Sequence, residues 1–498
     1  MMLVWFLPLF LVLLMIGLPV FFALMFAPGL LLWLNGQERD LALLYRNLYN
    51  GMDSFPLMAL PFFMLAGEVM NRGGITGRLV DFSQALMGHL RGGLAHVNIL
   101  SSILFAGLSG SAVADTSALG STLIPAMERN GYSRKFAAAV TAASSVIGPI
   151  IPPSGIMIIY AYVMGESVAA LFLAGIVPGL LVGVGLMVVV RLMADRYDLP
   201  KAERIVKRNQ EISTMEDWVS FILLRINIAG LIHGLFLLLA PVHGVGSAGA
   251  AAGWVLFAVF LLVAHGILLW ARRRASRDFR IVCKKAVAPL QAPVIILGGI
   301  LVGVFTPTEA SAAAVAYALA VSFFVLRSMK LSDLPGILTK SALGASTVLL
   351  LVGAAVAFKT VVSLSHAPEH LASAILDMSK DPLILLFLIN ILLFIVGMFL
   401  DAGPAIIILG PILAPIFVEI GVHPVHFAII MSVNLTVGLA TPPMGLVLFV
   451  ASSVSGEKVE TISRAILPFL AVEVLVIFLI TYFPAISMTV PTMAGFIK

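Results

Sequence analysis

Two apolar runs of this chain are interrupted at the same internal place by adjacent prolines, and that coincidence limits the folds open to it. The first break reads Gly148-Pro149-Ile150-Ile151-Pro152-Pro153-Ser154-Gly155, the second Gly438-Leu439-Ala440-Thr441-Pro442-Pro443-Met444-Gly445. Proline donates no backbone N–H and its ring clashes with the preceding turn, so no helix runs through either stretch. Inside a bilayer the freed carbonyls are tolerated only where protein, water or an ion satisfies them. The breaks lie 290 residues apart, and the same offset carries Gly107 to Gly397, Ala112 to Ala402, Leu119-Gly120 to Leu409-Gly410, Pro125 to Pro415 and Pro178 to Pro468. Four of the five prolines between 107 and 178 meet a proline in this one ungapped register, which chance in a glycine-rich chain does not readily give. Paired interrupted helices in two halves point to the binding site of a secondary transporter.

The chain is 60% hydrophobic and 11% charged with a mean hydropathy of +1.09, the composition of a polytopic membrane protein. A single cysteine, Cys283, excludes a disulfide framework. The net charge of +5 sits in short loops, so it is no nucleic-acid footprint. Residues 3–34 lack a basic leader and a cleavage site and read as a retained first span. Further spanning runs lie at about 54–71, 133–164 (broken), 168–190, 218–240, 250–271, 286–305, 309–327, 341–362, 425–455 (broken) and 461–483. The runs 93–128 and 383–420 differ. Each has two short apolar arms around small and polar residues, Gly107-Leu108-Ser109-Gly110-Ser111 and Phe399-Leu400-Asp401-Ala402-Gly403-Pro404, and reads as a re-entrant hairpin whose tip stops within the membrane.

Loops 72–91, 129–135, 191–208, 271–285, 327–340 and 458–464 hold 24 of the 30 lysines and arginines, and the positive-inside rule makes them cytoplasmic. The N-terminus is then cytoplasmic and the C-terminus periplasmic. Arg129, Arg134 and Lys135 follow the first hairpin, whereas the equivalent Gly421-Val422-His423-Pro424 carries neither lysine nor arginine, so the halves enter from opposite faces. The expected fold is an all-α polytopic membrane protein with an inverted-topology repeat, two re-entrant helical hairpins and two Pro-Pro broken helices. Its parts are a first repeat at 1–196, a segment 197–285 holding a charged linker (Lys201 to Asp217) and an inserted helical pair 218–271 around Pro241-Val242-His243-Gly244, and a linking span with the second repeat at 286–498. Amphipathic stretches 72–92 and 363–380 read as interfacial arms.

Five stretches then resemble the large (DctM-type) membrane subunit of tripartite ATP-independent periplasmic (TRAP) transporters. They are Ser54-Phe55-Pro56-Leu57-Met58-Ala59-Leu60-Pro61-Phe62-Phe63-Met64-Leu65-Ala66-Gly67, Gly110-Ser111-Ala112-Val113-Ala114-Asp115-Thr116, Ile150-Ile151-Pro152-Pro153-Ser154, Phe305-Thr306-Pro307-Thr308-Glu309-Ala310 and Leu439-Ala440-Thr441-Pro442-Pro443-Met444-Gly445. The resemblance covers nearly everything but about 200–280, so the inserted pair stands as a departure. It implies an elevator-type, sodium-driven importer of small organic acids in the bacterial inner membrane. Its implied partners are a small four-helix membrane subunit and a periplasmic substrate-binding protein.

Sodium is a hard cation that takes oxygen ligands, and the resemblance places its sites at the tips and breaks. Within them the residues suggest Ser109, Ser111, Gly148 and Pro152 in the first half, and Asp401, Gly403, Thr436, Gly438 and Thr441 in the second. The coupling ion that the resemblance implies is Na⁺; no resident cofactor is indicated. Ser109 and Ser111 also read as small residues that let helices pack closely. Asp401 is the stronger candidate, because a carboxylate at the membrane centre costs about 2.5–3.5 kcal/mol on insertion scales. A substrate carboxylate would lie between the tips against the restarting helix N-termini, near Gly110, Pro153, Ser154, Thr441 and Pro443. Asp115 and Glu309 are further intramembrane acids. Asp115 reads equally as a cap or an ion ligand, and Glu309 as a first-turn acid after Thr306-Pro307. Lys359 is expected to snorkel, and His233 and His265 to pack; the histidines show no metal-ligand spacing. No nucleophile elbow, phosphate loop or carboxylate pair points to an enzyme. A stand-alone sodium–carboxylate symporter is the alternative within the same architecture. An intramembrane enzyme would need clustered acids, and a scaffold gives no reason for two broken helices.

Overall fold

A computed structural model describes residues 5–497 apart from Arg196, Asp198, 201–210, 240–249 and 365–380, and among these the regular structure is helical. The chain opens with α1 (Phe6–Met15), α2 (Val20–Leu34), α3 (Glu38–Met52), α4 (Ala59–Arg72) and the arm α5 (Ile75–Met87). The first hairpin is α6 (Gly93–Ser109) and α7 (Ala112–Arg129); the first broken helix is α8 (Arg134–Ser145) and α9 (Gly155–Met164), followed by α10 (Val168–Met193). Then come α11 (Thr214–Leu239), α12 (Ala250–Arg274), α13 (Arg277–Leu301), α14 (Pro307–Ala320) and α15 (Leu334–Leu364). The second half holds the hairpin α16 (Pro382–Phe399) and α17 (Ala402–Glu419), the broken helix α18 (Pro424–Gly438) and α19 (Leu446–Ser455), α20 (Val459–Tyr482) and α21 (Ala485–Met493). Eight helices among the described residues are long and apolar enough to cross a membrane.

The 290-residue register holds in three dimensions. Shifted by 290, α7 takes the bounds of α17, and α6, α8, α9 and α10 match α16, α18, α19 and α20 within three residues. Contacts repeat as well. A Cβ at Gly120 would stand 3.4 Å from Val454 Cγ1, and one at Gly410 3.6 Å from Met164 Sδ. Position 120 maps to 410 and 164 to 454, so this is one contact made twice, with the halves exchanged: α7 packs on α19 and α17 on α9. Such an exchange is the mark of a pseudo-two-fold axis. Between the hairpins lie seven segments, counting α8 and α9 as one broken span, and an odd number delivers the second half to the opposite face.

The stems α8 and α18 form the centre. Every residue from Phe136 to Ser145, and from Val425 to Gly438, is buried. Small side chains allow this in α8, and hydrogen bonds to the neighbouring hairpin arm satisfy the polar ones. Asn98 of α6 donates to Thr141 Oγ1 at 2.6 Å, and Asn434 of α18 donates to Asn390 Oδ1 of α16, also at 2.6 Å. Around this core, α15 packs on α2, α3 and α4, and α14 on α4 and α13.

Two expectations change. Residues 3–34 are not one span: Gly17, at φ +90°, and Pro19 split them into α1 and α2. The pair α11/α12 is peripheral, α12 resting on α11 and α11 on α13. The N-terminal end of α11 is tied down by Arg78 to Glu216, by Lys284 to Asp217, and by Ser220 Oγ donating to the Lys284 carbonyl at 2.7 Å. His265, expected only to pack, accepts from Arg225 Nε at 2.9 Å; His233 does pack, edge-on to Phe257 and Phe260. Of the two arms, α5 lies against α6 and α13 with Ile75, Leu79 and Val80 buried. The stretch 363–380, the turn at Pro241 and most of the charged linker lie outside the described residues.

Candidate functional site

Each hairpin tip meets a break, but the two meetings differ. In the first half α6 ends at Ser109, Gly110 turns the chain in the left-handed region at φ +60°, and Ser111 caps α7 by accepting from Ala114 N at 3.4 Å. A side chain at Gly110 would stand 2.7 Å from the Pro153 carbonyl, so the tip lies directly on the break. Ser109 Oγ accepts from Ser111 N at 3.3 Å and donates to Asp115 Oδ1.

Asp115 is fully buried, and its Oδ2 has no hydrogen-bond partner. A Cβ on Gly148 would collide with that carboxylate, so the free oxygen is aimed at the start of the break. There the carbonyls of Gly148, Ile150, Ile151, Pro152 and Pro153 receive no hydrogen bond from the described residues. A buried carboxylate oxygen at the start of a break with unpaired carbonyls offers hard oxygen donors of the type a small cation takes. Since Ser111 does the capping, Asp115 is not needed for it. Ser154 caps α9 through Met157 N at 3.3 Å and donates to the Pro149 carbonyl at 2.5 Å. Its hydroxyl proton is therefore committed to the protein and does not face the space between the tips.

In the second half Asp401 is itself the cap of α17, accepting from Ala402 N at 2.8 Å, and it is exposed. Gly397 and Gly438 touch backbone to backbone, an added Cβ on Gly438 standing 2.6 Å from Gly397 Cα. This break is satisfied in part, the Ala440, Pro442, Pro443 and Met444 carbonyls accepting no hydrogen bond from the described residues. The Gly438 carbonyl accepts from Thr441 N at 2.9 Å, that of Leu439 from Val447 N at 3.0 Å, and that of Thr441 from Gly445 N at 3.0 Å. Thr436 Oγ1 bonds the Ser432 carbonyl at 2.9 Å and Thr441 Oγ1 the Val437 carbonyl at 2.9 Å, so both hydroxyls serve their own helix. Pro443 and Met444 are exposed. Gly403, near the second tip, faces Ile159 of α9, and α9 also packs on α18, which brings the two half-sites to one central region.

Glu309 is remote from both tips. It forms a capping box with Thr306, Thr306 N donating to Oε2 at 2.8 Å and Glu309 N to Thr306 Oγ1 at 3.3 Å. Lys359 does not snorkel; its Nζ donates to the Val163 carbonyl at 2.6 Å, at the electronegative end of α9. Sequence reasoning passed over Glu473, buried mid-way along α20 with both carboxyl oxygens unpartnered. The signal was there: an acid within a long apolar run.

Two tips laid against two unwound segments at a pseudo-two-fold define the core of a secondary transporter. The chain belongs to the family described as "Tripartite ATP-independent periplasmic transporter, DctM component", whose model matches residues 7–252 and 237–486. It is 35% identical to the C4-dicarboxylate TRAP transporter large permease protein DctM of Pseudomonas aeruginosa, over 94% of this chain and 92% of that one. It is equally 35% identical to the sialic acid TRAP transporter large permease protein SiaM of Vibrio cholerae, over 96% of each. Matches of this extent run through α11 and α12, so the helical pair is no departure from the family. The solved YdaH transporter of Alcanivorax borkumensis shares the fold, with a TM-score of 0.55 over 89% of each chain at 16% identity.

Proposed function

We propose that this chain is the large membrane subunit of a sodium-driven importer that moves a small organic acid across the bacterial inner membrane by an elevator mechanism. The observation that carries the sodium reading is Asp115, a buried acid with one unpartnered oxygen lying against Gly148, where the first break begins. Asp401 supplies a second acid at the other tip. The two relatives' names specify a C4-dicarboxylate and a sialic acid, both carboxylates, which favours an acid as cargo here. Its negative charge would be met by the bound cations and by the N-termini of α9 and α19.

Both tips and both breaks belong to one packed body with α10 and α20, while α1–α4 and α11–α15 form a second group of helices beside it. That partition supports movement of the first group against the second with the solute held between the tips. A fixed group of this kind is what a small four-helix partner would extend, and a periplasmic binding protein would deliver solute to its outer face. The N-terminus is cytoplasmic and the C-terminus periplasmic in this reading, set by the distribution of lysine and arginine.

The test is uptake into proteoliposomes containing this chain with its small subunit and loaded binding protein, screened over dicarboxylates, keto acids and sugar acids. Accumulation only with an inward sodium gradient and all three components is the expected result. Equal accumulation by the chain alone would make it a stand-alone sodium–carboxylate symporter.

A further inference from the structure

The two groups of helices meet through contacts of two kinds. The first kind is apolar. Leu60 of α4 lies on Gly155, where an added Cβ would stand 3.1 Å from its Cδ1, and the rings of Phe63 and Phe172 meet with centroids 6.3 Å apart. Pro293 of α13 covers Gly107, its Cγ 2.8 Å from where a Cβ would stand. Apolar contact is non-directional, so such surfaces can exchange partners without leaving a polar group unpaired.

The second kind is polar and falls on the last turn of α9. Lys359 of α15 donates from Nζ to the Val163 carbonyl at 2.6 Å, and the neighbouring Tyr162 hydroxyl interacts with Ser54, in the loop before α4. The end of α9 has need of a donor. Gly165 closes it at φ +79°, and the amides of Gly165 and Glu166 both go to the Ala161 carbonyl, so the Val163 carbonyl receives no amide from the described residues. Lys359 is half-buried, and no acid among the described residues pairs with it. The electronegative end of α9 is what meets its charge.

A hydrogen bond is short and directional, so it is made in one relative position of the two groups and lost in any other. Both partners can survive its loss. Lys359 lies five residues before Leu364, the end of α15, and its long stem lets the amine reach the nearby interface. We propose, resting on the elevator reading above, that Lys359 is a positioning residue of transport. Its bond to Val163 holds the moving body where this structure places it, and each cycle breaks and remakes that bond.

Double electron–electron resonance on the full-length chain with its small subunit in lipid nanodiscs tests this. Spin labels go on Asn130→Cys, which follows the first hairpin, and Leu331→Cys, before α15, in a Cys283→Ser background; both positions are exposed. With Lys359 intact, two distances are expected, one for each position of the body. Lys359→Met should lower the share of this structure's distance against the other by about tenfold, the weight of a hydrogen bond to a charged group. Lys359→Arg keeps a charged donor and should hold the wild-type ratio. Lys359→Gln, a shorter neutral donor, should fall between, and serves in place of Lys359→Met if that variant does not fold. Two distances in an unchanged ratio in Lys359→Met, whatever its Tm, would overturn the proposal and leave the elevator standing. One distance in every variant, with and without sodium and solute, would overturn both.

Discussion

The two breaks share a backbone design and divide the chemistry unequally. In the first, a half-buried tip lies on a buried break, a serine hydroxyl secures the restart of α9, five carbonyls accept no hydrogen bond from the described residues, and a buried acid lies against Gly148. In the second, backbone amides occupy the Gly438, Leu439 and Thr441 carbonyls, the acid sits on the tip as a helix cap, and Pro443 and Met444 lie open. Duplication thus preserves where the helix stops, while the ligands are free to differ. The first half-site offers a buried acid with one unpartnered oxygen at the start of its break. The second offers a single exposed carboxylate, and any cation there would draw its remaining ligands from water, solute or a moved tip.

The largest effect is expected at Asp115. Asp115→Ala removes the only carboxylate at the first break and should cut sodium-driven uptake more than about tenfold, or over about 1.4 kcal/mol. Uptake measured in proteoliposomes at saturating solute decides this; a silent Asp115→Ala would reverse the ranking of the two half-sites. Asp401→Ala should leave expression unchanged and raise the sodium concentration for half-maximal uptake about three- to tenfold, because a partly hydrated site loses less than a closed one. Unaltered sodium dependence would take Asp401 out of the transport site.

Gly438→Ala probes the backbone contact peculiar to the second half. Its new methyl would press on Gly397, and overpacking of this kind costs about 1–3 kcal/mol, read as a lowered Tm. The smallest effect distinguishes the restarts. Ser154→Ala removes a helix cap and should destabilise by about 1 kcal/mol. Met444→Ser, at the equivalent exposed position, should shift stability by less than about 0.5 kcal/mol. Equal shifts in both would mean that the Ser154 cap contributes nothing particular to the first break.

Much of this architecture was legible because proline acts locally. Pro152-Pro153 and Pro442-Pro443 end helices whatever surrounds them, so a repeated spacing of prolines becomes a repeated spacing of elements, as α7 and α17 show. Side-chain roles were less legible because they are set by partners distant in sequence or by turns of unknown geometry. Ser109 and Asp115 are six residues apart across a tip, and only the left-handed turn at Gly110 brings them together. Ser154 and Thr441 read as donors to a substrate, yet each hydroxyl is taken by a carbonyl four or five residues back. Lys359 shows the same limit, since its partner at Val163 is 196 residues away. The split of residues 3–34 was available locally, in Gly17 and Pro19, but an unbroken run of apolar residues masks it.

Neither half owns a complete core. The surface of α7 is covered by α19 and that of α17 by α9, so a half-length chain on its own would leave both surfaces bare. A half-length chain of this kind would find that cover only on a second molecule lying upside down, which requires insertion into the membrane in both orientations. Joined in one chain, each half holds a single orientation and a substitution in one is not repeated in the other, so acids stand singly, Asp115 in the first half and Asp401 and Glu473 in the second.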